Sequence, residues 1–224
     1  MIIIDHLYGL ECELKTDQLN VLILEKTDTF TGFIEHLEAQ LNKVEEKILL
    51  YDDEQNQMDF SKKADVIFSV RDLTYQTTKM QKKVCAAIGE EVEESALQDR
   101  LVQNYAELLR IADDIKMESS YEVEYDAGYS FAELFKYLGM RLEEPKGTFC
   151  EKIMSYAKNC RDFLHIDVFF LINCKTFFKK EEYVQLQKWA AYQEICFVMV
   201  GSDENRLPLE TNKYIIDEDG CLIH

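Results

Sequence analysis

Val168-Phe169-Phe170-Leu171-Ile172-Asn173 is a run of five apolar residues closed by an amide. It has the length of a strand and falls far short of a bilayer span. An unbroken apolar run of this kind suits a strand covered on both faces. Its flanks supply the covers. Thr148 with Glu151 makes a T-x-x-E capping box that opens a helix running towards Asp162, and Glu181 to Ala191 is an amphipathic helix leading into the strand Ile195 to Val200. Strands alternating with helices give an α/β sheet.

Working outward, Met1 to Ile4, Val21 to Leu24, Ile48 to Tyr51 and Val66 to Val70 read as further strands. Phe30 to Leu41 is a helix with Phe30, Phe33, Ile34, Leu37 and Leu41 on one stripe. The tail Tyr214 to Ile223 reads as a hairpin turning at Asp219 and Gly220. Between these parts strand signals vanish. Met80, Val84 and Ile88, then Leu97, Leu101, Tyr105, Leu108, Ile111 and Ile115, recur at helical spacing. Gly89 is expected to stop the first of two helices, and Ser95 with Gln98 to cap the second. Tyr121 to Asp126 alternates apolar and acidic residues, as an extended segment would, and Ser130 with Glu133 opens a short helix that Gly139 closes. The expected division is an α/β domain over 1–71 and 120–224 with a helical domain over 72–119.

The formal charge of −18 excludes a surface that is basic all round, so any contact with nucleic acid needs a local positive stripe. Seven cysteines, odd in number and without a C-x-x-C pair, read as reduced thiols of a cytoplasmic protein. The N-terminus shows no basic region followed by a long apolar stretch, so neither a signal peptide nor a membrane role is expected.

A phosphate loop needs glycines, whose exposed backbone N–H groups surround the phosphates, and a lysine. After Val21 to Leu24 the sequence reads Glu25, Lys26, Thr27, Asp28, Thr29, Phe30, with no glycine. Phe169 to Ile172 resembles the strand that ends in a magnesium-binding Asp in nucleotide hydrolases, but Asn173 cannot supply the anionic ligand. The histidines (His6, His36, His165, His224) show no metal spacing, which leaves a Cys and His pair meeting in space as the remaining route to nucleophilic catalysis. Glu118, Glu122, Glu124 and Asp126 form an acidic segment, either a solvated face or oxygen donors for a hard cation such as calcium. Lys79, Lys82 and Lys83 share one helix face, and Lys146 with Lys152 flanks a capped helix start. These lysines read either as solubility charges or as a stripe for duplex phosphates.

With these segments in place, the chain resembles the Csn-two family of type II-A CRISPR adaptation proteins. The resemblance rests on Val66 to Val70 followed by Arg71, Asp72 and Leu73; on Val123, Glu124, Tyr125 and Asp126 leading to the helix Phe131 to Gly139; on Val168 to Asn173 followed by Phe177, Phe178, Lys179 and Lys180; and on Tyr214 to Asp219. It implies a head like a degenerate P-loop ATPase, a helical leg formed by the insertion, and a homotetrameric ring. It further implies binding of linear double-stranded DNA, calcium-dependent assembly with Glu118, Glu122, Glu124 and Asp126 as ligands, and no catalysis. The partners it implies are the CRISPR integrase complex and the type II effector nuclease, in spacer acquisition. Two other classes stand beside it: a nucleotide-hydrolysing switch with a relic sheet, and a structural adaptor for protein partners.

Overall fold

The computed structural model describes residues 1–5, 8–128, 130–204 and 211–224. The chain divides into two compact units, Met1–Thr74 with Glu144–His224, and Tyr75–Glu143.

The first unit is built on β3 (Asn20–Leu24), β6 (Ala64–Ile67), β7 (Val168–Ile172), β8 (Cys196–Gly201), β9 (Asn212–Ile216) and β10 (Leu222–Ile223). Their order across the sheet is β10-β9-β3-β8-β7-β6. All neighbours run parallel except the terminal hairpin β9–β10. Every residue of β3, β7 and β8 is buried, as a parallel strand covered on both faces requires. The period of two assigns the faces. Val168, Phe170 and Ile172 join Phe33 and Leu37 of α1 (Thr27–Leu41) in one apolar cluster. Phe169 turns the other way, its ring 6.3 Å from Tyr156 of α6 (Phe149–Leu164) and 5.7 Å from Phe197. Trp189 of α7 (Lys180–Gln193) stands 6.4 Å from Phe197 on that same side.

A second, antiparallel sheet covers the outer face of α1. Its order is β2-β1-β4-β5, with β1 (Ile2–Asp5), β2 (Leu10–Glu13), β4 (Ile48–Tyr51) and β5 (Gln57–Met58). Ile3, Leu10, Cys12, Ile48 and Leu50 enter the cluster that holds Phe33 and Leu37, so α1 lies between two sheets. A four-residue helix, α2 (Phe60–Lys63), leads into β6. The expected strand Val66 to Val70 is shifted towards the N-terminus because its last residues have a better bond to make. The Asp72 carboxylate accepts from the backbone N–H of Phe68 (2.7 Å) and of Ser69 (2.8 Å), and these bonds start a 3₁₀ turn at Val70.

The second unit holds α3 (Thr78–Glu93), α4 (Gln98–Glu118) and α5 (Phe131–Tyr137). It outruns the expected limits of 72–119, because α5 packs on α3 through Phe131, Phe135 and Cys85. Gly89 does not stop α3. The helix continues to Glu93, and Gly89 is buried where an added Cβ would stand 3.2 Å from the backbone nitrogen of Ala132. The missing side chain lets α5 approach α3 this closely. Nor does Ser95 cap α4: its hydroxyl donates to the Val92 carbonyl (2.9 Å) and accepts from the Leu97 N–H (3.2 Å), which closes the turn between the two helices. The Thr148–Glu151 box forms in both directions, at 3.3 and 2.7 Å.

A Gly89→Leu substitution adds volume that the α3–α5 contact cannot admit, so it should destabilise the second unit by about 1–3 kcal/mol. Urea denaturation followed by helical circular dichroism measures this loss.

Candidate functional site

Ligands of open α/β sheets bind beyond the carboxyl ends of the parallel strands. Among the described residues, side chains fill the part of that edge at β3, β8 and β7. Asn173, with φ +51°, turns the chain after β7, and its N–H donates to the Val200 carbonyl (2.9 Å). The Lys175 ammonium pairs with the Asp203 carboxylate and donates to the Asp203 carbonyl (3.1 Å). The cavity lined there by Ile23, Leu171, Met199 and Gly201 is about 10 Å³, which is room for one water at most. The only candidate phosphate lysine after β3, Lys26, stands at the start of α1, where no side chain caps the helix.

The acids sit elsewhere, in the second unit. Glu118 ends α4, and the segment 121–128 returns beside that helix without joining any ladder. The expected extended alternation finds no strand to pair with. Side chains hold the segment instead: the Tyr125 hydroxyl donates to Asp113 (2.6 Å), and the Tyr105 hydroxyl donates to the Gly128 carbonyl (3.1 Å). The bond to the Asp113 carboxylate raises the pKa of the Tyr125 phenol. Glu122 and Glu124 line one open cavity of about 640 Å³ with Lys116, Tyr121 and Val123. Glu118 and Asp126 do not line it, and the Asp126 carboxylate is turned back onto the Gly128 N–H (2.8 Å). Among the described residues no group of three or more His, Cys, Asp or Glu is arranged to hold a metal ion.

Lys79, Lys82 and Lys83 are exposed on α3, opposite the buried Met80, Val84 and Cys85. Among the described residues they enter no ion pair, whereas Lys62, Lys63, Lys175 and Lys213 each pair with an acid. Lys146 and Lys152, exposed and half-buried, precede and open α6 in the first unit.

Nucleophilic chemistry finds little support. Six of the seven thiols are buried and only Cys221 is exposed. Burial pushes the thiols of Cys12, Cys174 and Cys196 up to about 12, and that of Cys150 to about 11, so none is a ready thiolate. The histidines are engaged otherwise: Nδ1 of His36 lies 2.8 Å from the buried Asp5 carboxylate, and His165 ends α6 in the left-handed conformation. His6 lies outside the described residues. The Asp5–His36 pair escaped the sequence reading, although Asp5 shares the parity of the buried Ile3 in β1 and so had to face inward.

These features define a mixed α/β protein with an inserted helical unit, no glycine in the stretch that follows β3 and a cationic face on α3 that enters no ion pair among the described residues. The family model for CRISPR-associated protein (Cas_Csn2) matches residues 40–220, and the chain belongs to that family. Its role is therefore CRISPR-associated. Among solved structures the chain is similar to the crystal structure of Stu0660 of Streptococcus thermophilus. The TM-score is 0.64 at 13% identity, covering 96% of this chain and 74% of that one. Comparison with curated proteins gives no match. No helix among the described residues is long and apolar enough to cross a membrane.

The buried thiols set an alkaline limit. In the unfolded chain they ionise near their ordinary value of 9.0, whereas folded Cys12, Cys174 and Cys196 stay protonated to about 12. Unfolding therefore releases protons above pH 9, and the stability held below pH 9 is lost as pH rises towards 12. The slope is at most about 1.4 kcal/mol per pH unit for each thiol. Urea midpoints at pH 8 and pH 10.5 should show the fall, and replacing the three cysteines by alanine should flatten it.

Proposed function

We propose that this chain is a non-catalytic, ring-forming protein that binds the ends of linear double-stranded DNA. It would serve the acquisition of new CRISPR spacers beside the integrase complex and the type II effector nuclease, in the cytoplasm. The observation that carries the reading is the face of α3 bearing Lys79, Lys82 and Lys83, unpaired in a chain of charge −18. Such a face is a local positive stripe on an acidic chain, the form of surface that a polyanion can meet. A homotetramer with closed symmetry would bring several copies of it onto one DNA axis, and contacts of this kind grip phosphates without reading bases. Lys146 and Lys152, in the first unit, are the secondary candidates for phosphate contact. A closed ring would also select for ends, because a covalently closed circle offers no terminus to thread.

Two further parts complete the reading. The head would be a degenerate P-loop ATPase. Its parallel strands, numbered in chain order, run 5-1-4-3-2, and the positions for the phosphate loop and the magnesium ligand fall at Glu25–Phe30 and Asn173. With the strand edge filled by Lys175 and Asp203, a nucleotide switch is the weaker alternative. Calcium would act on assembly. Since one chain lines a single cavity with only Glu122 and Glu124 of the four acids, the remaining oxygens would have to come from a rearranged Glu118 and Asp126 or from a second copy.

Gel shifts on linear and covalently closed duplexes of equal length, in calcium or in chelator, test the reading. Linear DNA in calcium should bind, closed circles should not, and affinity should fall steeply with salt. Replacing Lys79, Lys82 and Lys83 by alanine should weaken binding at least about 10-fold and reduce the salt slope. Equal binding of circles, or no binding of linear DNA in calcium, would overturn it.

A further inference from the structure

Charge is segregated along α3. Lys79, Lys82 and Lys83 lie in its N-terminal half, and Glu90, Glu91, Glu93 and Glu94 follow at its C-terminal end. α5 packs antiparallel to it. Near the start of α5, an added Cβ on Gly89 would stand 3.2 Å from the backbone nitrogen of Ala132. Gly139, with φ +71°, closes α5 and turns the chain back onto α3, where the Met140 carbonyl accepts from the Cys85 thiol (3.5 Å). Arg141 then lines one cavity of about 180 Å³ with Thr78 and Gln81. The packing therefore sets Glu133 towards the acidic end of α3, and Lys136 and Arg141 towards its lysines. Lys136 and Arg141 are exposed and, like those lysines, enter no ion pair among the described residues. Between them in the chain stand Tyr137 and Leu138, 88% and 64% exposed. A bare aromatic ring set among cations combines the two groups that hold an unpaired nucleotide, a cation for its phosphate and a ring face for its base.

We propose that Lys136, Tyr137 and Arg141 extend the lysine face of α3 into a subsite for unpaired nucleotides at a duplex end. The proposal rests on the DNA-end reading and deepens it by naming the form of end preferred. Three observations select this occupant. The cations Lys79, Lys82, Lys83, Lys136 and Arg141 gather at one end of a helix pair in a chain of charge −18, which favours a polyanion over a neutral or cationic partner. The cavity beside Arg141 is smaller than the roughly 300 Å³ at which small-molecule sites begin. It suits one phosphate group of a longer strand, with the guanidinium and the side chains of Thr78 and Gln81 as donors. The exposed ring of Tyr137 then discriminates between forms of DNA. Cations grip the phosphates of paired and unpaired strands alike, but inside a duplex both faces of each base are covered by its stacked neighbours. Only an unpaired or terminal base offers a face to an aromatic side chain.

Fluorescence anisotropy of the full chain in calcium tests the subsite, with a blunt duplex and the same duplex carrying short single-stranded thymidine tails. The tailed duplex should bind at least about 5-fold more tightly, the lower end of what one base stacked on an aromatic side chain contributes. Tyr137→Ala should abolish this preference and Tyr137→Phe should retain it. Arg141→Ala should weaken binding of the tailed duplex more than that of the blunt one. Both positions are exposed, so circular dichroism should stay unchanged in every variant. Equal binding of blunt and tailed duplexes by the wild-type chain, or a preference that survives Tyr137→Ala, would overturn the subsite and leave the DNA-end reading standing. A chain that binds neither duplex would overturn both.

Discussion

The first unit depends on burying β3, β8 and β7 on both faces at once. A central parallel strand can lose all contact with water only if its backbone is fully paired and both sets of alternating side chains find apolar cover. Five parallel strands supply the pairing, and α1 on one side with α6 and α7 on the other supply the cover. A buried amide clamp ties the entry to this sheet: the Asn20 carboxamide accepts from the Lys15 N–H (2.8 Å) and from the Asn212 side chain (2.8 Å), and donates to the Phe197 carbonyl (3.1 Å). Three chain segments distant in sequence thereby share one register, and a slip of one residue would leave these polar groups unpaired in the interior.

The same demand for burial shapes what the site can be. Apolar packing reaches the carboxyl edge of the strands, and the Lys175–Asp203 pair closes it, so the place where related sheet architectures hold ligands is filled. Burial acts on the thiols as well, since desolvation holds those of Cys174 and Cys196 protonated. What remains available is surface: unpaired lysines on α3, an open acidic cavity beside α4, and exposed apolar side chains along that helix.

The helical unit obeys a weaker constraint. Its small core joins α3 to α5 over Gly89, and α4 contributes only Leu101 to it. A helix that long, held to its neighbours by few apolar contacts, takes most of its packing from elsewhere or remains solvated.

Strand and helix identities were largely legible, because period-two and period-3.6 apolar patterns report burial directly: β3, β7, β8, α1, α6 and α7 fall where the pattern puts them. Capping signals were legible where a single helix end decides them, as at Thr148 and Ser130. The pattern misled wherever the partner lay far along the chain. Tyr121 to Asp126 alternates like a strand yet has no strand beside it, and Gly89 reads as a stop yet serves the approach of α5. The acidic residues share a segment, and only the fold decides that the Asp126 carboxylate turns onto its own loop while Glu122 and Glu124 line one cavity. Composition and periodicity by themselves determined an acidic α/β chain with a helical insertion and no phosphate loop. Which side chains meet was decided by tertiary structure alone, since a contact depends on the three-dimensional path of the backbone and local sequence fixes only the direction in which each residue points.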